Sequence, residues 1–233
     1  MAFARGGTPT APCFARAAAE RRACHYGAGV GETPWGARLK LAASQQLFSY
    51  WTHLRGARGA PERNDIDPAA IRGVLADTFI LEFDPPAGFP LRISGSRTNA
   101  LFLRELRGES FLELWRPQDR AEAGEILTAV ANEAQPFLLG AIGGPPGGET
   151  ADVEVLLLPL RHHGATHSRM LGACAPRSLP RWLGLMPIGV LALTSLRALT
   201  PSQHNAADVP AYDFIRRANF RRRGHLFVYS SET

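Results

Sequence analysis

The 233-residue chain has 45% hydrophobic and 20% charged residues and a net charge of +5, an ordinary balance for a globular protein with a proper core. No apolar run reaches the roughly 18 residues that span a bilayer; the best, Leu183 to Leu199, is broken by Pro187, Thr194, Ser195 and Arg197 and reads as a packed helix behind a lead-in loop. Cys13, Cys24 and Cys174 form an odd set with no CxxC, which argues against a disulfide framework and fits a reducing cytoplasm.

Charge is unevenly spread. Residues 1–40 hold six basic and two acidic side chains, 41–180 hold 13 and 16, and 181–233 hold seven and three. The middle is therefore mildly acidic and the basicity sits at the ends. Lys40 is the single lysine among 26 basic residues, a bias that points to a GC-rich bacterial genome.

Residues 1–36, rich in Ala, Arg, Gly and Pro and lacking an apolar signal-peptide core, read as a disordered extension. An amphipathic helix follows over about 39–57, with Leu39, Leu47, Phe48, Trp51 and Leu54 on one side and Gly56, Gly59 and Pro61 ending it. Asp67-Pro68 opens a short helix through Ile71 to Leu75. Strands at 78–83 and 90–94 flank the turn Asp84-Pro85-Pro86-Ala87-Gly88 as a hairpin. Helices are expected over about 97–106 and 118–134, the second with Ala121, Ile126, Leu127 and Val130 on its apolar face. Strands at about 137–142, 151–161 and 168–175 complete the order ββ, helices, long helix, βββ. The fold class is therefore α+β, a five-stranded antiparallel sheet with helices on one face. The domain division is a 1–36 extension, a 37–180 domain with its N-terminal flanking helix, and a 181–233 helical and basic extension ending in a short strand.

This order resembles that of a PAS domain. The strings SYWTHLRG, PERNDIDPAAI, DTFILEFD, FPLRISGSR, LRGESFLELW and GHLFVY resemble one group in particular, a PAS-like family found mainly in alphaproteobacteria and first described as a domain of unknown function. The resemblance runs from about Leu47 to Tyr229. It implies a stand-alone sensory or interaction protein and supplies no agreed ligand, cofactor or catalytic residue; a homodimer that is not an enzyme is the reading expected for this chain. The flavin-adduct branch of PAS domains has an Asn-Cys motif in its helical region, and none of the three cysteines is there. Haem-binding members take an axial His from the long helix, and 118–134 has none.

If a ligand cavity exists, apolar placement assigns its wall to Phe79, Leu81, Ile93, Leu101, Phe102, Phe111, Trp115, Val130, Leu156 and Leu158, residues that would equally build a packed core. Arg97 could bind an anion at a helix start, or simply pair with Glu105 or Asp77. Arg92 stands in the same turn. Asp65 and Asp67, in a polar cluster with Arg63 and Asn64, could bind a metal, although turn formation and capping explain them more simply. His162 and His163 are adjacent and should point oppositely on a strand, so only one could join His167; metal is not expected. Cys174 reads as a buried, inert thiol.

Phe48, Tyr50 and Trp51 are interface candidates if exposed and intramolecular packing if not. Arg216, Arg217, Arg221, Arg222 and Arg223 form a basic patch, interleaved with Phe214, Ile215, Phe220 and Leu226. Nucleic-acid or membrane binding is the lesser reading for it. No hydrolase elbow, phosphate loop, HExxH or kinase signature occurs. The competing functions are a ligand sensor with a pocket, an interaction adaptor with a filled core and an exposed apolar patch, and a regulator that uses the C-terminal arginines.

Overall fold

The computed structural model describes residues 39–163, 165–199, 220–223 and 226–229. The expected extension over 1–36, and Arg216 and Arg217, lie outside them.

The expected meander and hairpin form. Strands β1 (Thr78–Glu82), β2 (Leu91–Ser94), β3 (Phe137–Gly143), β4 (Ala151–His162), β5 (Ala165–Pro176) and β6 (Ala192–Ala198) make one antiparallel sheet in the order β2-β1-β5-β4-β3-β6. The three α-helices among the described residues are α1 (Ala42–Arg55), α2 (Ser96–Phe102) and α3 (Arg120–Glu133).

The sixth strand is a correction. Residues 183–199 do not form a helix; Gly184 and Gly189 take φ of +85° and +69°, Pro187 lies between them, and helical periodicity cannot pass that stretch. Beyond it the chain pairs with β3, Leu139 opposite Leu196 and Phe137 opposite Ala198. Part of the expected C-terminal extension thus belongs to the main sheet. A second difference lies at Asp67. Its Oδ1 accepts the Ala69 N–H at 2.9 Å, but residues 68–74 make successive turns rather than a helix, ending in a 3-10 turn at Leu75–Asp77. A separate two-stranded sheet pairs β7 (Phe220–Arg223), which carries Arg221, Arg222 and Arg223, with β8 (Leu226–Tyr229).

The sheet is covered on both faces, which explains the nearly unbroken apolar run of β4. On the inner face α2, a 3-10 turn at Phe111–Leu114 and α3 close over Phe79, Leu81, Val153, Val155, Leu157, Met170 and Cys174. On the outer face α1 lies over Ile80, Leu156, Leu158, Leu160, Leu171 and Ala173. Alternation along β4 decides the partition: odd-numbered 153, 155 and 157 face inward and even-numbered 156, 158 and 160 face outward.

Helix α1 is held by its spacing. Leu47, Phe48 and Trp51 are at most 1% exposed, each burial stabilising by about 1.5–3 kcal/mol. The Trp51 indole N–H donates to the Pro159 carbonyl at 2.8 Å, so the ring is buried with its one polar atom satisfied. Gly56, at φ +54° with no side chain, ends the helix.

Candidate functional site

The residues expected to wall a central cavity fall into three sets. Phe79, Leu81, Leu101, Phe102, Phe111, Trp115 and Val130 do share one inner-face cluster. They fill it with one another: the Phe79 and Phe111 rings are 5.5 Å apart and Phe111 and Trp115 5.9 Å, the latter edge to face. The Phe79 ring sits on Gly172, where an added Cβ would stand 2.2 Å from Cζ. Leu156 and Leu158 are corrected to the outer face under α1, because β4 places even-numbered residues there. Ile93 is 47% exposed. It pairs with Ile80 on the outer face, at the edge of the sheet.

The interface candidates are also corrected. Phe48, Tyr50 and Trp51 are all buried against the sheet, so they offer a partner no surface. His162 and His163 do not diverge. His163 leaves the strand at φ +51°, and the two rings meet tilted at 48°, 4.1 Å between centroids. The side chain of His167 lies outside the described residues. Arg58 binds Asp65 at 2.9 Å, and that hydrogen bond holds the Asp65 carboxyl below its usual range. Among the described residues no group of three or more His, Cys, Asp and Glu could hold a metal ion. Arg92 pairs with Glu82 at 3.3 Å.

Arg97 is where the sequence and the structure meet at a cleft. The chain enters α2 through Gly95, whose N–H donates to the Thr78 carbonyl at 2.8 Å. A Cβ on Gly95 would stand 2.3 Å from the Ala76 carbonyl oxygen, so only glycine lets the helix start this close to the 75–77 turn. That approach brings Arg97 to Asp77 in a two-pronged pair: Nε donates to Oδ1 at 2.7 Å, and Nη2 to Oδ2. Nη2 also donates to the Gly73 carbonyl at 3.2 Å. The Asp77 side chain is 10% exposed and that of Arg97 58%.

Beside this pair is a cleft of about 210 Å³ lined by Asp77, Arg97, Ala100, Leu101, Cys174, Pro176, Leu179, Leu183 and Gly184. Its outer wall is a strap, residues 177–191. The strap leaves β5 with Arg177 N–H on the Asp152 carbonyl at 2.8 Å, crosses α2 with Ile188 N–H on Leu101 at 2.8 Å, and reaches the Phe111–Leu114 turn with Leu191 N–H on Leu114 at 2.7 Å. It then continues into β6, where the Leu193 N–H donates to Asp119 Oδ2 at 3.0 Å. Leu179 is 81% exposed, Leu185 79%, Val190 46% and Met186 45%.

Cys174 is buried, and burial first, then the negative charge of Asp77, push its thiol up to about 12. It stays protonated at neutral pH, a weak soft donor and not a nucleophile.

The sequence reading named Arg97 and Leu101 as pocket candidates, read Cys174 only as a buried thiol, and missed the strap residues. The signal was present in Pro180, just before the segment expected to hold a helix, and in Gly184, Pro187 and Gly189 within it. A second groove, about 410 Å³, runs along α3 between Pro85, Phe89, Leu112, Gly124 and Thr128.

Residues 39–175 match the family profile described as PAS domain. The chain belongs to the PAS domain family. Among solved structures it is similar to the LOV protein of Rhodobacter sphaeroides, at 12% identity over 50% of this chain and 71% of that one, with a TM-score of 0.37. It is also similar to the PAS domain of an HTR-like protein from Haloarcula marismortui, at 16% identity over 46% of this chain and 89% of that one, with a TM-score of 0.33. No curated protein matches the chain. The PAS match ends at residue 175, so Pro176, Leu179, Leu183 and Gly184 lie outside it.

Proposed function

We propose that this PAS chain is a sensory signalling protein that works by binding, with the Asp77–Arg97–Cys174 cleft as its ligand site. The observation that carries the reading is the strap. It walls the cleft, is hydrogen-bonded to α2 and to the Phe111–Leu114 turn, and runs directly into an edge strand. A molecule seated in the cleft would favour one arrangement of the strap over another, which is a population shift. The polar groups of the cleft suit binding better than catalysis: Asp77 is engaged by Arg97 and the Cys174 thiol is held protonated. The strings in the sequence support placement among alphaproteobacterial PAS proteins.

Native mass spectrometry of the purified chain, against a denatured sample, tests the reading. A small molecule retained by the wild type and absent from Ala100→Phe, whose exposed position at the cleft tolerates a ring, is the expected result. Retention in both, or in neither, counts against the cleft.

The filled inner core and the exposed Leu185, Met186 and Val190 favour a second reading, an interaction adaptor or homodimer that uses the strap. Partner capture or dimerisation would then survive Ala100→Phe and fail in Leu185→Ser/Met186→Ser.

A further inference from the structure

The lining of the cleft narrows what it can hold, provided that it is the ligand site argued above. Its volume, about 210 Å³, exceeds the roughly 150 Å³ in which an engineered protein cavity takes benzene and falls below the roughly 300 Å³ where drug-sized sites begin. One ring with a few further atoms fits; a polycyclic cofactor does not. Ala100, Leu101, Pro176, Leu179 and Leu183 supply carbon around that space.

Charge narrows the class again. Arg97 is the one cation on the cleft and Asp77 the one carboxylate among its lining residues, and they neutralise each other through two hydrogen bonds. An anionic ligand would have to approach Arg97 beside the Asp77 charge, and would lose its hydration in an apolar cleft for a cation already compensated. A cationic ligand would meet the same spent pair. Yet Arg97 is not exhausted. Its Nε and Nη2 are committed to Asp77 and Gly73, while Nη1 has no hydrogen bond to the protein among the described residues and keeps two N–H groups for an acceptor. The thiol of Cys174 is uncharged and adds no demand for a counter-ion.

We propose that the cleft selects a neutral, apolar molecule of about one ring bearing one hydrogen-bond acceptor, such as a carbonyl or ether oxygen, with Arg97 Nη1 as the recognition donor. Asp77, Arg97, Ala100, Leu101 and Cys174 of the cleft lie within the matched PAS segment, and the strap residues that close it lie beyond.

Three one-ring probes decide the matter: acetophenone (neutral, with an acceptor), toluene (neutral, without one) and benzoate (anionic). Each is titrated into the intact purified chain by NMR chemical-shift mapping, with Ala100→Phe as the blocked control. Acetophenone should bind about 10-fold tighter than toluene, the worth of one hydrogen bond to a charged donor, and tighter still than benzoate. Asp77→Asn leaves the Arg97 charge uncompensated and should move the preference to benzoate. Arg97→Met, which serves also if Asp77→Asn fails to fold, should make acetophenone and toluene equal. Benzoate winning in the wild type, or acetophenone keeping its advantage in Arg97→Met, overturns the ligand class and leaves the cleft standing. Binding of all three that is unchanged in Ala100→Phe, or binding of none, removes the cleft itself.

Discussion

Gly172→Ala tests how the inner face is filled. Gly172 sits in β5 opposite Phe79 of β1 and Leu157 of β4. An added Cβ would stand 2.2 Å from Phe79 Cζ, 2.4 Å from Cε2 and 2.8 Å from the Leu156 carbonyl oxygen. The ring cannot lift freely, because Phe111 lies 5.5 Å away, centroid to centroid, and Phe79 is 1% exposed. Overpacking of this kind costs about 1–3 kcal/mol, and contacts this short place it near 3. Alanine recovers about 0.4–1 kcal/mol from the unfolded chain, which leaves a net loss of about 2 kcal/mol. For a chain of this size that lowers Tm by about 4–8 °C. The assay is thermal and urea unfolding of four proteins: wild type, Gly172→Ala, Phe79→Ala and the double variant. Phe79→Ala alone should cost about 3–5 kcal/mol. In its background the Gly172→Ala cost should fall by at least about 1 kcal/mol, because the ring that resists the methyl is gone. If Gly172→Ala leaves Tm unmoved, or the two costs simply add, Phe79 is not seated on Gly172 and the account of a self-filled core is wrong.

Other outcomes follow from the same packing. Gly95→Ala puts a Cβ 2.3–2.6 Å from the carbonyl groups of Ala76 and Leu75, backbone that cannot swing aside. It should cost about 2 kcal/mol or more by denaturant unfolding, and it should weaken acetophenone's advantage over benzoate even where the fold survives, since it parts Arg97 from Asp77. Trp51→Phe keeps most of the buried area but leaves the Pro159 carbonyl without its donor, and should lose about 1–3 kcal/mol. Cys174 gives a pH signature. Its folded pKa, about 12, lies above the ordinary 9.0, so the folded state keeps a proton that the unfolded state gives up. Its contribution is intact below pH 9 and lost progressively as pH rises from 9 toward 12. Stability measured against pH should fall less steeply over that window in Cys174→Ala than in the wild type; parallel slopes would show that the thiol is not buried.

Much of the architecture could be read from local pattern. The hairpin showed in its Asp-Pro-Pro-Ala-Gly turn, α3 in the 3.6-residue period of Ile126, Leu127 and Val130, and the meander in three apolar runs separated by Gly-rich or His-rich turns. What failed depended on partners far along the chain. Leu193 and Leu196 suit a helix face about as well as a strand, and only pairing with β3 makes them part of β6. The run Val155 to Leu158 is apolar on both faces, so no alternation marks which side Leu156 takes; the presence of α1 on the outer face decides it. The Arg97–Asp77 pair was legible as one of two options because both candidate carboxylates were near in sequence. The cleft around it was not, since its outer wall, Leu179, Leu183 and Gly184, is the strap.

The position of β6 has a consequence for how copies of this chain can meet. Without it, β3 would present seven residues of unpaired N–H and C=O groups along one side of the sheet, a template for any extended segment. With it, that border is a strand whose pairing is interrupted at Gly140/Ala141 and which carries Thr194, Ser195 and Arg197. The opposite border is β2, four residues long and bearing Arg92. Growth by strand addition thus finds a broken rail on one side and a short charged one on the other. For this sheet, contacts between molecules fall to side-chain surfaces, and among the described residues the strap offers exposed Leu179, Leu185 and Met186.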